Sequence, residues 1–227
     1  MRPVLVPLVT GVLGLIVLLS LGVWQVQRLQ WKEGVLARID ARIDGTPQPL
    51  PETPTEENDE YLSVRVEGRF TGEGVDVLTS IKERGPGFRL VSVFETATGR
   101  RILVDRGYIP ETAKDDPRPE TEANVVGNLL WPDEVDGFTP DPDFGRNIWF
   151  ARDLPAMAAA LNTEPVLVVL RETSETRPAA TPLPVDSAGV PNDHLQYAIT
   201  WFSLAAIWVL MTGTYIRRVR RTATGKA

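Results

Sequence analysis

The architecture is set by residues 191–221, PNDHLQYAITWFSLAAIWVLMTGTYIRRVRR, in a chain of 227 residues. From Leu195 to Ile216 there are 22 residues without a charge, and four arginines follow: Arg217, Arg218, Arg220 and Arg221. At 1.5 Å per residue these 22 residues make about 33 Å of helix, which is enough to cross a hydrocarbon layer about 30 Å thick. We therefore predict a membrane-spanning helix over residues 194–216 and a basic tail over residues 217–227.

A second apolar segment lies near the amino terminus. Between Arg2 and Arg28 there are 25 uncharged residues, whereas the apolar region of a cleaved signal peptide has only about 7–15. Uncharged runs of this length are rare in soluble cores, so a buried soluble helix is the weaker alternative. We predict an uncleaved membrane-spanning helix over residues 3–24.

The charges beside the two spans predict their orientation. Arginines that follow a span mark the cytoplasmic side of a bacterial inner membrane, which places residues 1–2 and the tail in the cytoplasm and residues 25–193 on the periplasmic side. A Ser- and Arg-rich transit sequence does not precede the first span, which favours a bacterial protein. Four basic residues after the first span conflict with this orientation, but charge bias loses force over long translocated segments: Arg28, Lys32, Arg38 and Arg42.

The pattern of residues 25–193 is that of a water-soluble β domain. An apolar residue at every fourth position up to Ile43 predicts that the first helix continues past the span. Two proline-rich linkers are predicted, over residues 47–60 and 176–193, and Asp153 is the predicted N-cap of a short helix in RDLPAMAAALN. Alternating apolar residues predict strands in YLSVRVEGRF, VDVLTSI, GFRLVSVFETATGRRILVDRGYIP (a hairpin), VVGNLLW and TEPVLVVLRET. The expected fold class is a membrane-anchored α+β protein, with two terminal transmembrane helices flanking a mostly antiparallel β domain that is a sandwich or small open barrel.

Composition excludes several kinds of chemistry. The absence of cysteine removes disulfides, thiolate metal sites and covalently attached haem, and the net charge of −6 argues against nucleic acid as a partner. A single histidine leaves no hydrolytic triad, and a glycine-rich phosphate loop is missing. Five carboxylates crowd one proline-rich loop, where a solvated loop is favoured over a hard-cation site: Asp133, Glu134, Asp136, Asp141 and Asp143.

The one histidine, His194, directly precedes the second uncharged run. Trp201, Trp208 and Tyr215 follow it at intervals of seven residues, with Tyr197 beside them. An apolar wall next to a nitrogen ligand is what a haem requires. Interfacial anchoring and simple helix capping are the alternatives, although Trp201 lies about 10 Å inside His194, where anchoring explains it less well.

A stripe of small residues runs along the same predicted helix beside the aromatic side chains. It consists of Ala198, Ala205 and Thr212. Small residues allow two helices in a membrane to approach closely. We therefore predict that this stripe packs against the first span, through the glycines at positions 11, 14 and 22.

Four segments together resemble the Surfeit-locus family of cytochrome c oxidase assembly proteins. In chain order they are LGVWQVQRLQWKEGVL, ILVDRGYIP, FTPDPDFGRNIWFARDLPAMAAAL and NDHLQYAITWFSLA. The resemblance implies a non-enzymatic assembly factor for an aa3-type oxidase, which binds haem a and assists its insertion into subunit I. Haem a synthase and membrane lipid are further implied partners. A membrane scaffold that holds oxidase subunits and binds no cofactor is the alternative.

The same resemblance implies roles for particular residues. His194 corresponds to the family's proposed axial ligand of the haem iron, with Tyr197 and Trp201 as the adjoining aromatic contacts. Further candidates for structural or partner contacts lie in the first two segments: Trp24, Arg28, and the triplet Arg106, Gly107 and Tyr108, where many members have tryptophan in place of the tyrosine.

Overall fold

The computed structural model describes residues 2–82, 84–188 and 190–224. These residues form two compact units. The β domain comprises Ile39–Asp186, and the helix unit comprises the residues up to Arg38 and those from Ser187. Met1 and residues 225–227, which belong to the predicted cytoplasmic ends, lie outside the described residues.

The described elements follow the predicted order of helix, strands and helix. The helices are α1 (Arg2–Ile43), α2 (Glu56–Asp59), α3 (Leu154–Leu161) and α4 (His194–Thr224), with a 3-10 turn at Glu111–Ala113. The strands are β1 (Gln48–Pro49), β2 (Ser63–Ile81), β3 (Gly85–Thr96), β4 (Arg101–Pro110), β5 (Thr121–Leu129), β6 (Ile148–Trp149) and β7 (Leu167–Thr173).

Both terminal helices are long and apolar enough to cross a membrane, over Val4–Ile43 and His194–Thr222. The predicted continuation of the first helix beyond residue 24 is confirmed, because α1 runs without interruption to Ile43. Helix α4 begins at His194, as predicted, but it continues past residue 216 through the arginines. The described part of the basic tail is therefore helical.

The predicted packing of small residues between the two long helices is confirmed within the helix unit. A Cβ atom added to Gly11 would lie 2.4 Å from the Thr212 side chain, and one on Gly14 would lie 2.6 Å from the Trp208 ring. On α4, Ala198 and Ala205 are buried. The glycines therefore leave one face of α1 without side chains, and the larger side chains of α4 fit against that face.

The β domain contains a closed ring of five strands, so the prediction of a sandwich or open barrel is wrong in this respect. Neighbouring strands pair in the order β2, β3, β4, β7 and β5, and β5 pairs back to β2. Four of these joins are antiparallel, as expected, but β4 and β7 are parallel. The short strands β1 and β6 add to β2, both in parallel.

One long strand accounts for the ring closure. The segments YLSVRVEGRF and VDVLTSI, predicted as two strands, form the single strand β2, whose pairing with β3 shifts in register between Phe70 and Gly74. The first half of β2 pairs with β5, and the second half pairs with β3 and the short strand β6. A bulge bends a strand and increases its twist, which lets β2 serve both neighbours.

Among the described residues, alternating side chains of the ring strands enter different hydrophobic cores, of which two are much larger than the third. One core includes Phe70, Phe94, Ile102 and Val168, and the other packs residues such as Leu103 against Trp149 and the α3 residues Leu154 and Met157. Successive side chains of a strand point to opposite faces of a sheet. Helix α3 and Trp149 therefore cover a second face of the ring, which makes its strands apolar on both sides.

The two predicted linkers are partly built into the β domain. Residues 47–60 were expected to be extended and solvated, but they contain β1, which pairs with β2, and the helical turn α2. In the second linker, Ala180 is buried and Thr181 pairs with Tyr108. Proline removes backbone donors but still permits pairing at a sheet edge, which explains how these segments join the sheet.

Arginines neutralise part of the carboxylate-rich loop. Arg152 donates to Glu134 from its backbone nitrogen at 2.9 Å and from Nε at 3.0 Å. Burial alone would raise the pKa of Glu134, but the hydrogen bonds and charge of Arg152 lower it below its ordinary value. Arg146 binds Asp143 in the same way. No group of three or more His, Cys, Asp or Glu side chains in the described ranges could hold a metal ion.

We expect Glu134→Gln to reduce the pH dependence of stability. A carboxyl group with a lowered pKa stabilises the folded state above its unfolded pKa, and this contribution is lost as the pH falls through the folded pKa. The variant should therefore be less stable than the wild type by about 1 kcal/mol at pH 7, and this difference should shrink as the pH falls through the lowered pKa of Glu134. Urea unfolding at several pH values measures this difference, with Asp133→Asn as the control. A difference that is constant with pH would contradict the prediction.

Candidate functional site

His194 occupies the first turn of α4 and contacts the buried amide of Gln25 on α1. Its ring nitrogen Nδ1 lies 2.8 Å from Oε1 of Gln25. Gln25 is only 8% exposed, and His194 is half-buried. An amide oxygen accepts hydrogen bonds, so in this arrangement Nδ1 carries the proton and donates it. The lone pair is then on Nε2, the nitrogen that remains for a metal.

The glycine face of α1 brings these two side chains together. Gln25 follows Gly22 by three residues, which places both on one side of the helix. A Cβ atom on Gly22 would lie 2.7 Å from the ring of Phe202, so α4 approaches closely at this point. Lys32 adds a further link within the helix unit by donating to the carbonyl oxygen of Pro191, three residues before His194. Gln25 and Lys32 of α1 therefore both bind the start of α4.

The aromatic residues of α4 divide into two sets. Tyr197 is 55% exposed and Trp201 is half-buried. Trp208, in contrast, donates from Nε1 to the carbonyl oxygen of Gly11 at 2.8 Å, and its ring lies over Gly14. Trp208 therefore belongs to the pairing of the two helices. Tyr197 and Trp201 are the aromatic side chains that lie within two turns of His194.

The two candidates on α1 lie on its surface. Trp24, next to Gln25 in the chain, is 53% exposed. The guanidinium carbon of Arg28 lies 3.9 Å from the centre of the Trp31 ring, a cation–π contact within α1. Indole and arginine side chains of this kind suit a membrane–water boundary.

Arg106 belongs to the β domain and is buried beside a carboxylate. Its Nη2 donates to Oε1 of Glu175 at 2.6 Å, and both side chains are at most 5% exposed. The guanidinium carbon also lies 4.0 Å from the centre of the Phe70 ring. Burial lowers the pKa of Arg106, and Glu175 opposes that shift. This geometry makes Arg106 a structural residue of the ring.

Gly107 and Tyr108 fasten the chain that leaves the β domain. Gly107 has a φ of +103°, and a Cβ atom at this position would lie 2.0 Å from the carbonyl oxygen of Thr181. Tyr108 exchanges two backbone hydrogen bonds with Thr181, and its hydroxyl donates to the carbonyl oxygens of Arg84 and Pro86. Tyr108 is buried, so its aromatic ring and hydroxyl serve the fold.

Sequence reasoning singled out His194 as a candidate but did not single out Gln25, its hydrogen-bond partner. The available signal in the sequence was that this polar residue follows Gly22 by three positions, on the helix face that the glycines of the first span form. Among the predicted candidates, the helix unit contains His194, Tyr197, Trp201, Trp24 and Arg28, and the β domain contains Arg106, Gly107 and Tyr108.

These features define a class of protein in which a β domain with a closed ring of strands is inserted, in chain order, between two apolar helices, the second of which begins at a lone histidine. The sequence profile of the SURF1 family matches residues 12–206. The chain belongs to this family, which confirms the resemblance seen in the four segments.

Curated relatives from several organisms match most of the chain. Surfeit locus protein 1 of Xenopus tropicalis is 32% identical to this chain, and the match covers 88% of this chain and 73% of the relative. The Homo sapiens protein of the same name is 32% identical, and the match covers 82% of this chain and 70% of the human protein. A SURF1-like protein of Monosiga brevicollis is 32% identical, covering 89% of this chain and 84% of the relative.

Proposed function

We propose that this protein is a non-enzymatic assembly factor for an aa3-type cytochrome c oxidase. In this proposal it receives haem a as cargo and assists its insertion into subunit I. Haem a synthase would supply the haem, and membrane lipid would surround the two helices. Membership of the SURF1 family supports the link to oxidase assembly, because the proteins that the sequence resembles are oxidase assembly proteins.

The observation that carries the haem proposal is the hydrogen bond between His194 and Gln25. It leaves Nε2 as the nitrogen for an axial bond, and histidines that bind metals usually donate their other N–H to a fixed acceptor. The phenol of Tyr197 and the indole of Trp201 lie one and two turns further along α4 and offer apolar contact. These residue types fit a haem, which needs one nitrogen ligand and an apolar surface.

The exposure of the aromatic residues supports a carrier function. Tyr197 and Trp24 are each more than half exposed, so a haem bound by His194 would contact side chains at the surface of the helix pair. His194 would hold the haem by offering its iron one nitrogen. A single axial ligand and an accessible surface suit a protein that must release its cargo to another chain.

The two apolar helices support a membrane location for this transfer. Each is long enough to span a bilayer, and the arginines after residue 216 favour a bacterial inner membrane with both termini in the cytoplasm and the β domain on the periplasmic side. In this orientation His194 lies at the outer boundary of the membrane. The same boundary suits the exposed Trp24 and the Arg28–Trp31 contact.

Replacement of His194 tests the carrier function. We expect His194→Ala, expressed together with haem a synthesis and purified from membranes, to lose at least ten-fold in haem per protein, because the axial bond is the main attachment. The absorption spectrum measures the haem content. Gln196→Ala, which alters an exposed neighbour on α4, is the matched control and should keep its haem. Equal haem in the two variants would remove His194 from the function.

A scaffold that binds no cofactor is the second candidate function. It is favoured by two exposed phenylalanines on the β domain, Phe138 at 94% and Phe144 at 72% exposure, which offer apolar contacts to another protein. Oxidase subunits that co-purify equally with wild type and His194→Ala, without haem in either, would support the scaffold. Co-purification that requires His194 would support the carrier.

A further inference from the structure

The amide of Gln25 does more than fill the space between the two helices. It is a polar side chain that is more than nine-tenths buried, and its oxygen points at one atom, Nδ1 of His194, at 2.8 Å. A buried amide is costly unless its oxygen and nitrogen find partners. The imidazole of His194 therefore supplies the partner of the Gln25 oxygen, and Gln25 in turn restricts the imidazole.

We propose that Gln25 is a positioning residue that sets the tautomer and ring orientation of His194, so that Nε2 is the haem-ligating nitrogen. This inference deepens the proposed function and rests on it for the haem, although the tautomer can be tested without haem. A neutral imidazole carries its proton on one nitrogen, and the hydrogen bond at the other side decides which one. With Oε1 of Gln25 as acceptor, the proton is on Nδ1.

The neutral charge of Gln25 has a further effect on the strength of the ligand. A carboxylate in the same place would accept the proton of Nδ1 more strongly and make Nε2 a more basic ligand. The amide holds the ring in the same orientation but leaves Nε2 a weaker donor to iron. This combination gives orientation without tight retention, which a carrier of haem requires.

The surroundings of Gln25 explain why the contact is well defined. Gly22, one turn earlier on α1, lies against the ring of Phe202, and Ala198, one turn after His194, is buried. The close approach of the helices therefore leaves little freedom for the Gln25 side chain. Gln27, two residues further along the chain, is exposed and provides a control position on the same helix.

Because the chain has a single histidine, labelling histidine with ¹⁵N gives one pair of ring-nitrogen signals. We expect the full-length protein in detergent micelles, without haem, to show the proton on Nδ1. Gln25→Leu should shift the population toward the Nε2–H form, and Gln27→Leu should resemble the wild type. A wild-type proton on Nε2, or signals unaffected by Gln25→Leu, would overturn the inference.

Haem b, added to the purified variants, provides the second readout. We expect Gln25→Leu to weaken haem affinity about ten-fold or more, the usual effect of losing a second-layer hydrogen bond. Gln25→Glu should bind haem more tightly than Gln25→Leu. Compared with the wild type, it should raise the Fe–N(His) stretching frequency of the ferrous form and slow haem release. Identical frequencies in wild type, Gln25→Leu and Gln25→Glu would overturn the inference. If the tautomer responds to Gln25 but no protein binds haem, the carrier function fails and the positioning of His194 stands.

Discussion

Replacing Glu175 with leucine is expected to lower the free energy of unfolding of the β domain by about 3–5 kcal/mol. The variant leaves the guanidinium of Arg106 buried without its carboxylate partner, which lies at 2.6 Å in the wild type. The contact with the Phe70 ring remains, but a cation–π interaction contributes only about 1–2 kcal/mol. An unpaired buried charge is among the largest single defects that a folded domain can contain.

The double variant Arg106→Leu/Glu175→Leu separates the charge effect from the loss of packing. It should recover most of the lost stability, because two apolar side chains in place of a buried ion pair are often neutral. Glu120→Leu is the control, since the pair Arg69–Glu120 is exposed at both ends and should change stability by less than about 1 kcal/mol. Denaturant unfolding of the full-length proteins gives these values. A loss of less than 1 kcal/mol in Glu175→Leu would contradict the prediction.

Gly107→Ala is the second substitution with a large expected effect, a loss of about 3–4 kcal/mol or failure to fold. A residue with a side chain is strained at a φ of +103°, which costs of order 1–3 kcal/mol. In addition, the new Cβ atom would lie 2.0 Å from the carbonyl oxygen of Thr181. The backbone must therefore move, and the paired hydrogen bonds between Tyr108 and Thr181 at 2.8 and 2.9 Å would break.

Gly99→Ala is a matched control for this prediction. Gly99 also has a positive φ, of +84°, but nothing lies within 4 Å of a Cβ atom built on it. Its replacement should therefore show the backbone strain alone, of about 1 kcal/mol. The difference in thermal or denaturant stability between the two alanine variants measures the contact with Thr181. Equal losses in both variants would show that this contact has no effect.

Local pattern was sufficient to predict the two long helices and most of the strands. An uncharged run needs no partner to be recognised, and the first residue of α4, His194, was predicted correctly. The N-cap Asp153 was also predictable, because its side chain accepts a hydrogen bond from the backbone of Ala156 three residues later. In each case the physical cause lies within a few residues of the feature.

Ring closure could not be predicted in the same way. The parallel pairing of β4 with β7 joins Leu103 to Leu167, and alternation of apolar residues does not specify a partner so far along the chain. The bulge between Phe70 and Gly74 has the sequence TGEG, which reads equally well as a turn between two strands. The strands were therefore predicted more accurately than their arrangement.

The candidate site likewise contains one residue that local sequence predicts and one that depends on the assembled fold. His194 stands out because it is the only histidine and precedes an apolar run. Gln25 does not, because a glutamine just after an apolar span usually faces water. Its burial depends on how close α4 approaches at Gly22 and Phe202, and this distance is a property of the assembled pair.

The order of the strands along the chain has a consequence for biogenesis. The ring is complete only when β7, the last strand to be synthesised, adds to β4 and β5 at once. Until residue 173 has left the ribosome, the nascent chain carries open edges on both of these strands. Unpaired edges readily join those of other chains. Safe completion of the ring therefore depends on how quickly the final strand arrives, and slow translation just before it would favour aggregation.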